Sequence, residues 1–208
     1  VGLNAAQAAA RAGRIGASEV AALLGEHPYM TALDVYQRIT EGRQQELNGP
    51  MRVGQYLEPH VLRMLRWEGL RARACHRAYT HPSLPLSASP DAYAAPHRGY
   101  GPGLVEVKVT YAWAEIPAYV RWQAQAQLLL TGRSVCWVAA LTGSRLVTVP
   151  VEADWGAFRD ILEAVELFHV EHLRPRIPPA QPAQPAVIFG AKPAPATPTQ
   201  EELEPTHV

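Results

Sequence analysis

Two short stretches carry the residues best suited to chemistry: Ser89-Pro90-Asp91 and, fifteen residues after that aspartate, Glu106-Val107-Lys108. A strand alternates its side chains, so Glu106 and Lys108 project from one face and Val107 from the other. If Asp91 ends a neighbouring strand, two carboxylates and an ammonium converge. That is the minimum equipment for holding a divalent cation and polarising a water beside a phosphodiester. Proline–aspartate turns and polar strand faces are common, so the same letters also read as a turn followed by a solvated strand. The elements around them have to decide.

Stepping outward along the chain, residues 3–12 are alanine-rich and read as a helix or a frayed lead-in. Gly16 or Ser18 caps a short helix through Leu24, stopped by Gly25 and Pro28. Thr31 reads as the N-cap of a second helix ended by Gly42, and Arg43 to Pro50 as a polar loop. From Met51 to Trp67, Val53, Leu57, Val61, Leu62 and Leu65 recur at three- and four-residue intervals, which predicts a long amphipathic helix. Pro59 predicts that this helix starts just before it or kinks there.

After Gly69 the pattern is β-like: Arg73 to Thr80, Leu84 to Ser89, Ala92 to Ala94 and Leu104 to Val109, punctuated by prolines and by the run Gly99 to Gly103. That run lacks a GxxxxGK pattern and is a loop, not a phosphate cradle. Pro117 predicts a helix reaching Thr131-Gly132, with Gln123 and Gln127 on one face and Gln125 turned roughly away. Strands at Val135–Leu141 and Arg145–Val151 follow, joined at Thr142-Gly143-Ser144. A helix from Ala153 to about Leu173 has Phe158, Ile161, Leu162, Val165 and Phe168 as its apolar stripe.

The bulk properties narrow the field. At 208 residues with 48% hydrophobic and 18% charged residues, the chain suits one globular domain. Net charge is zero, so a nucleic-acid partner must be met by a local patch. Arg52, Arg63, Arg66, Arg71, Arg73 and Arg77 supply one, or else a solvated helix face. Cys75 and Cys136 are the only cysteines, which argues against a disulfide framework or a four-cysteine metal site. Lacking a membrane-length apolar run and a signal-like start at Val1–Ala10, the chain reads as intracellular. From Ile177 the composition turns to proline and alanine, predicting a disordered tail over 177–208 behind a domain over 1–176. Val187-Ile188-Phe189 is an apolar island in that tail.

Taken together, Arg11 with Gly16-Ala17-Ser18-Glu19-Val20, Gly54-Gln55-Tyr56-Leu57-Glu58-Pro59, Ser89-Pro90-Asp91, Glu106-Val107-Lys108, and Gln123-Ala124-Gln125 through Thr131-Gly132 resemble the phage lambda exonuclease family. These are the YqaJ-type viral recombinases, within the PD-(D/E)XK nuclease class. The match spans Arg11 to Val151 in order. The resemblance implies an α/β (α+β) fold with a restriction-endonuclease-like core, a central mixed β-sheet flanked by helices. It implies Mg²⁺, with Mn²⁺ able to substitute, held by Asp91, Glu106, Glu58 and the carbonyl of Val107. Lys108 would position or deprotonate the attacking water, and Gln123 would orient the water or the lysine. Arg11, Ser18 and Ser89 would bind a 5′-terminal phosphate, with Arg14 able to replace Arg11.

The activity so implied is 5′-to-3′ resection of linear double-stranded DNA, leaving 3′ overhangs for a single-strand annealing protein. It carries with it a homotrimer acting on DNA ends and a cytoplasmic phage or prophage setting, with no membrane. Two other readings stay open at this point: a RecB-like repair endonuclease, and a non-catalytic DNA-binding recombination scaffold on the same fold.

Overall fold

The computed structural model describes residues 4–42, 49–110, 113 and 115–181. Residues 43–48, most of the expected polar loop, and 182–208, most of the expected tail with its Val187-Ile188-Phe189 island, lie outside the described residues.

The chain runs α1 (Ala5–Arg11), β1 (Ile15–Gly16), a 3₁₀ turn (Ala17–Glu19), α2 (Val20–Leu23), α3 (Ala32–Glu41), α4 (Gly49–Trp67), β2 (Ala72–Ala74), β3 (Tyr79–Thr80), β4 (Leu86–Ala88), β5 (Ala92–Ala94), β6 (Gly103–Thr110), α5 (Ala118–Thr131), β7 (Val135–Thr142), β8 (Arg145–Glu152) and α6 (Trp155–Phe168), with a π-helical turn at His169–Leu173. Five strands form the main sheet in the order β2-β5-β6-β7-β8, and β1-β4-β3 form a small second sheet. β6 and β7 are parallel while the other neighbours in the main sheet are antiparallel. This is the expected mixed sheet. The segment expected as one strand over Arg73–Thr80 is instead two, β2 and β3, one in each sheet.

Alternation along β6 sorts its residues to two layers. Val105 and Val107 pack with Val61, Leu62 and Leu65 of α4, whereas Leu104 packs with Val120, Ala124 and Leu128 of α5 and Phe158 of α6. A third cluster joins Ile15 and Leu86 of the small sheet to Val20, Val35, Ile161 and Val165. Fully buried aliphatics such as Leu65 and Leu104 each contribute roughly 1.5–3 kcal/mol. At the start of β6, a Cβ on Gly103 would lie 2.7 Å from the Val135 carbonyl oxygen, so only glycine lets β7 come this close.

Helix boundaries follow their capping residues. Thr31 and Asp34 form a capping box on α3, and Gly42 and Gly132 end α3 and α5 in the left-handed conformation. α4 departs from expectation. It begins at Gly49, ten residues before Pro59, and includes the proline, so of the two expectations the start just before Pro59 is not met. Pro59 and Gln55 are both exposed, so the backbone carbonyl that Pro59 cannot serve lies on the water side of the helix. No helix among the described residues is long and apolar enough to cross a membrane.

Candidate active site

β5 ends the site's first element. It pairs with β6 from Ala92↔Val105 to Ala94↔Gly103, and beyond that point no strand among the described residues lies along that edge of β6. There the Val107 amide donates to Asp91 Oδ2 at 2.6 Å. The side chain of Asp91 thus supplies the acceptor that a continued strand would have offered from its backbone. A residue's N–H and C=O point to the same side of a strand, so the Val107 carbonyl is directed to that same edge.

The other face of β6 carries Glu106, which is 3% exposed. Its Oε1 lies 2.7 Å from Lys108 Nζ and accepts from Gln123 Nε2 at 2.7 Å. Its Oε2 accepts from Gln127 Nε2 at 2.6 Å. Lys108 Nζ in turn donates to Gln123 Oε1 at 2.8 Å. The four-residue spacing on α5 aims both glutamines at one carboxylate. Cys136 Sγ, 3.7 Å from Gln127 Oε1, fixes which end of that amide faces Glu106.

The electrostatics follow from this arrangement. Burial pushes the Asp91 carboxyl well above the usual carboxylate range, and the charges of Glu106 and Glu58 push it further, against the Val107 amide and Lys108. Burial works to lower the pKa of Lys108, but the charge of Glu106 and its hydrogen bond, with Asp91, prevail and raise it. Lys108 is therefore held as an ammonium. Glu58 is half-buried and reaches this edge from α4, on the sheet face opposite Glu106.

Asp91, Glu106 and Lys108 are thus brought together as expected, with Gln123 facing them. Among the described residues no group of three or more histidine, cysteine, aspartate or glutamate side chains is gathered tightly enough to be a finished metal site. The donor chemistry nonetheless suits a hard cation: carboxylate oxygens and a strand carbonyl, with carboxylates whose mutual repulsion a divalent ion would relieve.

Beside this network lies a cavity of about 160 Å³ whose walls include Arg11, Ser18, Ser89, Gln123 and Gln127. Arg11 Nη2 pairs with Glu19 Oε1 at 2.9 Å, and the arginine side chain is 32% exposed, so the guanidinium retains donors for the cavity. Glu19 is 1% exposed; its Oε2 accepts from the Gly16 amide at 2.7 Å and from Arg38 Nη2 at 2.7 Å. A Cβ on Gly16 would sit 3.2 Å from Arg11 Cζ, so the glycine lets the guanidinium lie against the backbone. Arg14 is not among the cavity residues. Its Nη1 turns back to the Ala10 carbonyl at 3.4 Å, because Gly13, at φ +67°, turns the chain between the two arginines.

Sequence reasoning did not assign Glu19, Arg38 or Gln127. For Gln127 the four-residue spacing to Gln123 was the available signal. Part of the arginine-rich stretch also has a structural use: Arg66 bonds the Ala72 carbonyl through Nε and Nη2 at 3.1 and 2.9 Å, tying α4 to β2.

Residues 8–134 match the YqaJ-like viral recombinase domain. A comparison with curated proteins returned no match. Among solved structures, the chain is similar to an alkaline exonuclease, LHK-Exo, from Laribacter hongkongensis, at 25% identity and a TM-score of 0.64, covering 78% of this chain and 89% of that one. The same exonuclease in complex with dAMP superposes with a TM-score of 0.65 at 24% identity over the same shares of the two chains. A phage related exonuclease from Haemophilus somnus 129PT shares the fold at 14% identity and a TM-score of 0.59, over 74% and 91% of the chains.

Proposed function

Because the chain belongs to the YqaJ-like viral recombinase family, we propose that it is a Mg²⁺-dependent deoxyribonuclease that resects linear duplex DNA from its 5′ ends. The observation that carries this reading is the shared wall: Gln123 and Gln127 line the cavity that also holds Arg11, Ser18 and Ser89. An anion pocket and a hydrolytic network so joined suit an enzyme that measures its cut from a terminal phosphate. The similarity to alkaline exonucleases supports it.

In this reading Asp91, Glu106, the Val107 carbonyl and Glu58 would hold the cation, with Mn²⁺ able to replace Mg²⁺. When bound, the ion would polarise the scissile phosphodiester and lower the cost of deprotonating a water. Lys108, kept charged by Glu106, offsets the negative charge that grows on the phosphoryl oxygens. Gln123 fixes where that ammonium sits, accepting from Lys108 Nζ while donating to Glu106 Oε1. Gln127 holds the second oxygen of Glu106 and so sets the plane of the carboxylate. Arg11, Ser18 and Ser89 grip the terminal phosphate and set the register of the strand. The 3′ overhang produced is a substrate for a single-strand annealing protein, and the assembly is the homotrimer that the family resemblance implies.

The test is digestion, with Mg²⁺, of linear duplexes labelled at the 5′ or the 3′ end, beside a covalently closed circle. Early release of 5′ label as mononucleotide, with the circle intact, is the expected outcome. Early loss of 3′ label overturns the polarity, a cut circle makes the protein an endonuclease, and no digestion of any substrate ends the nuclease reading.

A further inference from the structure

Four aromatic rings extend from solvent toward Lys108 and have no part in the network described above. Tyr29 is 76% exposed. Its ring meets His27 edge-on with centroids 6.2 Å apart, His27 meets Tyr119 at 5.0 Å, and Tyr119 meets Trp113 at 6.2 Å. His27, Tyr119 and Trp113 are half-buried. Trp113 and Tyr119 pack against the edge of the core cluster around Leu104 and Val120, but core packing does not account for Tyr29, the outermost ring, which buries little surface.

The rings are placed by the same helix that carries the glutamines. Tyr119 precedes Gln123 by four residues on α5, so the two share a face, and Gln123 bonds Lys108. The loop carrying the other two rings is pinned. The Glu26 amide donates to the Ala21 carbonyl at 2.8 Å, and Glu26 Oε2 accepts from Trp122 Nε1 on α5 at 2.8 Å. The Tyr29 amide donates to His27 Nδ1 at 3.2 Å, an acceptor role that leaves the ring's own proton on Nε2. Burial, and then the nearby charge of Lys108, lower the imidazole's pKa from its ordinary value. The imidazole is therefore uncharged, and Tyr119 beside it stands one helical turn from the glutamine that bonds Lys108. The complement of that surface is a flat π face joined to an anion, which is the shape of a nucleotide.

We propose that Tyr29, His27, Tyr119 and Trp113 form a stacking platform for a nucleobase of the strand whose phosphate Lys108 and Gln123 address. The proposal rests on the nuclease reading for which strand is bound, and it adds a base-holding surface that can keep the end of that strand unpaired. Stacking on rings is indifferent to base identity, so the platform tolerates any sequence.

The test uses 5′-phosphorylated oligonucleotides, single-stranded and duplex, with 2-aminopurine at the first or second position, bound in EDTA so that nothing is cut. With the wild type, the fluorescence of one labelled position is quenched on binding. Tyr29→Ala and His27→Ala should remove the quench and weaken binding about tenfold. Tyr29→Trp and His27→Phe should keep both, and Trp155→Ala, an 82% exposed ring elsewhere, should change nothing. Wild-type quench and affinity in both alanine variants overturn the platform, as does a wild type that binds without any quench. If His27→Ala binds and quenches normally but alters the pH profile of cleavage, the imidazole is an acid–base group, and His27 leaves the platform. Failure of the wild type to cleave in Mg²⁺ while the quench persists overturns the nuclease reading alone.

Discussion

Glu19 and Glu106 are both nearly fully buried carboxylates, 1% and 3% exposed, yet their surroundings leave opposite charge on the two sides of one small cavity. Glu19 meets two guanidinium groups, Arg11 and Arg38, with a backbone amide from Gly16. One negative charge is shared by two positive ones, and Arg11 faces the cavity with the surplus. Glu106 meets a single ammonium and two neutral amides, with Asp91 and Glu58 near enough for their charges to add. The excess there is negative. The comparison teaches that a buried glutamate is not in itself a metal ligand or a structural ion pair: the count of cations around it decides whether its neighbourhood attracts an anion or a cation.

The largest effect should come from the acidic side. Asp91→Ala or Lys108→Ala is expected to lower the rate of Mg²⁺-dependent cleavage of linear duplex by about a thousandfold; digestion at the wild-type rate by either protein would remove that side of the comparison. On the basic side, Arg11→Ala should lower the preference for 5′-phosphorylated over 5′-hydroxyl ends by about 10- to 100-fold, the worth of a charge-assisted hydrogen bond, while cleavage of hydroxyl ends continues. Glu19→Gln should give a smaller loss in the same assay, since Arg11 is loosened but not removed. An unchanged end preference in both would detach the arginine from the terminal phosphate.

Two further effects are smaller and read the charges directly. Asp91 has a raised pKa in the folded protein, so the native state holds its proton more tightly than the unfolded chain. Stability is then lost as pH rises above the ordinary value of 3.8. In EDTA at neutral pH, Asp91→Asn should raise the melting temperature, by about 2–4 °C for each kcal/mol relieved, and the gain should vanish in acid below that value. A wild type that melts no lower than the asparagine variant at neutral pH would show that the acidic side carries no uncompensated charge. His27 has the reverse sign. Its folded pKa lies below 6.5, so wild-type stability falls as pH drops through 6.5, and His27→Phe should flatten that part of the melting profile. Parallel profiles for the two proteins would contradict it.

Much of this arrangement was legible in the sequence because it is built from local periodicities. Strand alternation puts Glu106 beside Lys108, helical spacing puts Gln123 and Gln127 on one face, the family resemblance turns Gln123 toward Lys108, and Thr31, Pro117 and Gly132 mark the ends of their helices. The part that was not legible depends on distance along the chain. Glu19 reads as an ordinary residue near a helix start, since its arginines lie 8 and 19 residues away and only folding brings them to it. Arg14 seemed interchangeable with Arg11 until the turn at Gly13 sent their side chains apart. Pro59 predicted a helix start or a kink by a sound rule, and the start does not fall there, because the proline lies on the exposed side of α4. The aromatic rings at His27 and Tyr119 sit in separate elements, and no spacing announces that they meet.

β5 is three residues long, and that brevity has a consequence for how the site can change. Had the strand begun two residues earlier, with the pairing of Ala92 and Val105 extended to Pro90 and Val107, the carboxylate of Asp91 would have been displaced and the carbonyl beside it covered. The opening in the hydrogen-bond ladder is thus as much a part of the chemistry as any side chain. Insertions before Ala92 that lengthen the pairing should silence the protein without removing a single acidic or basic group.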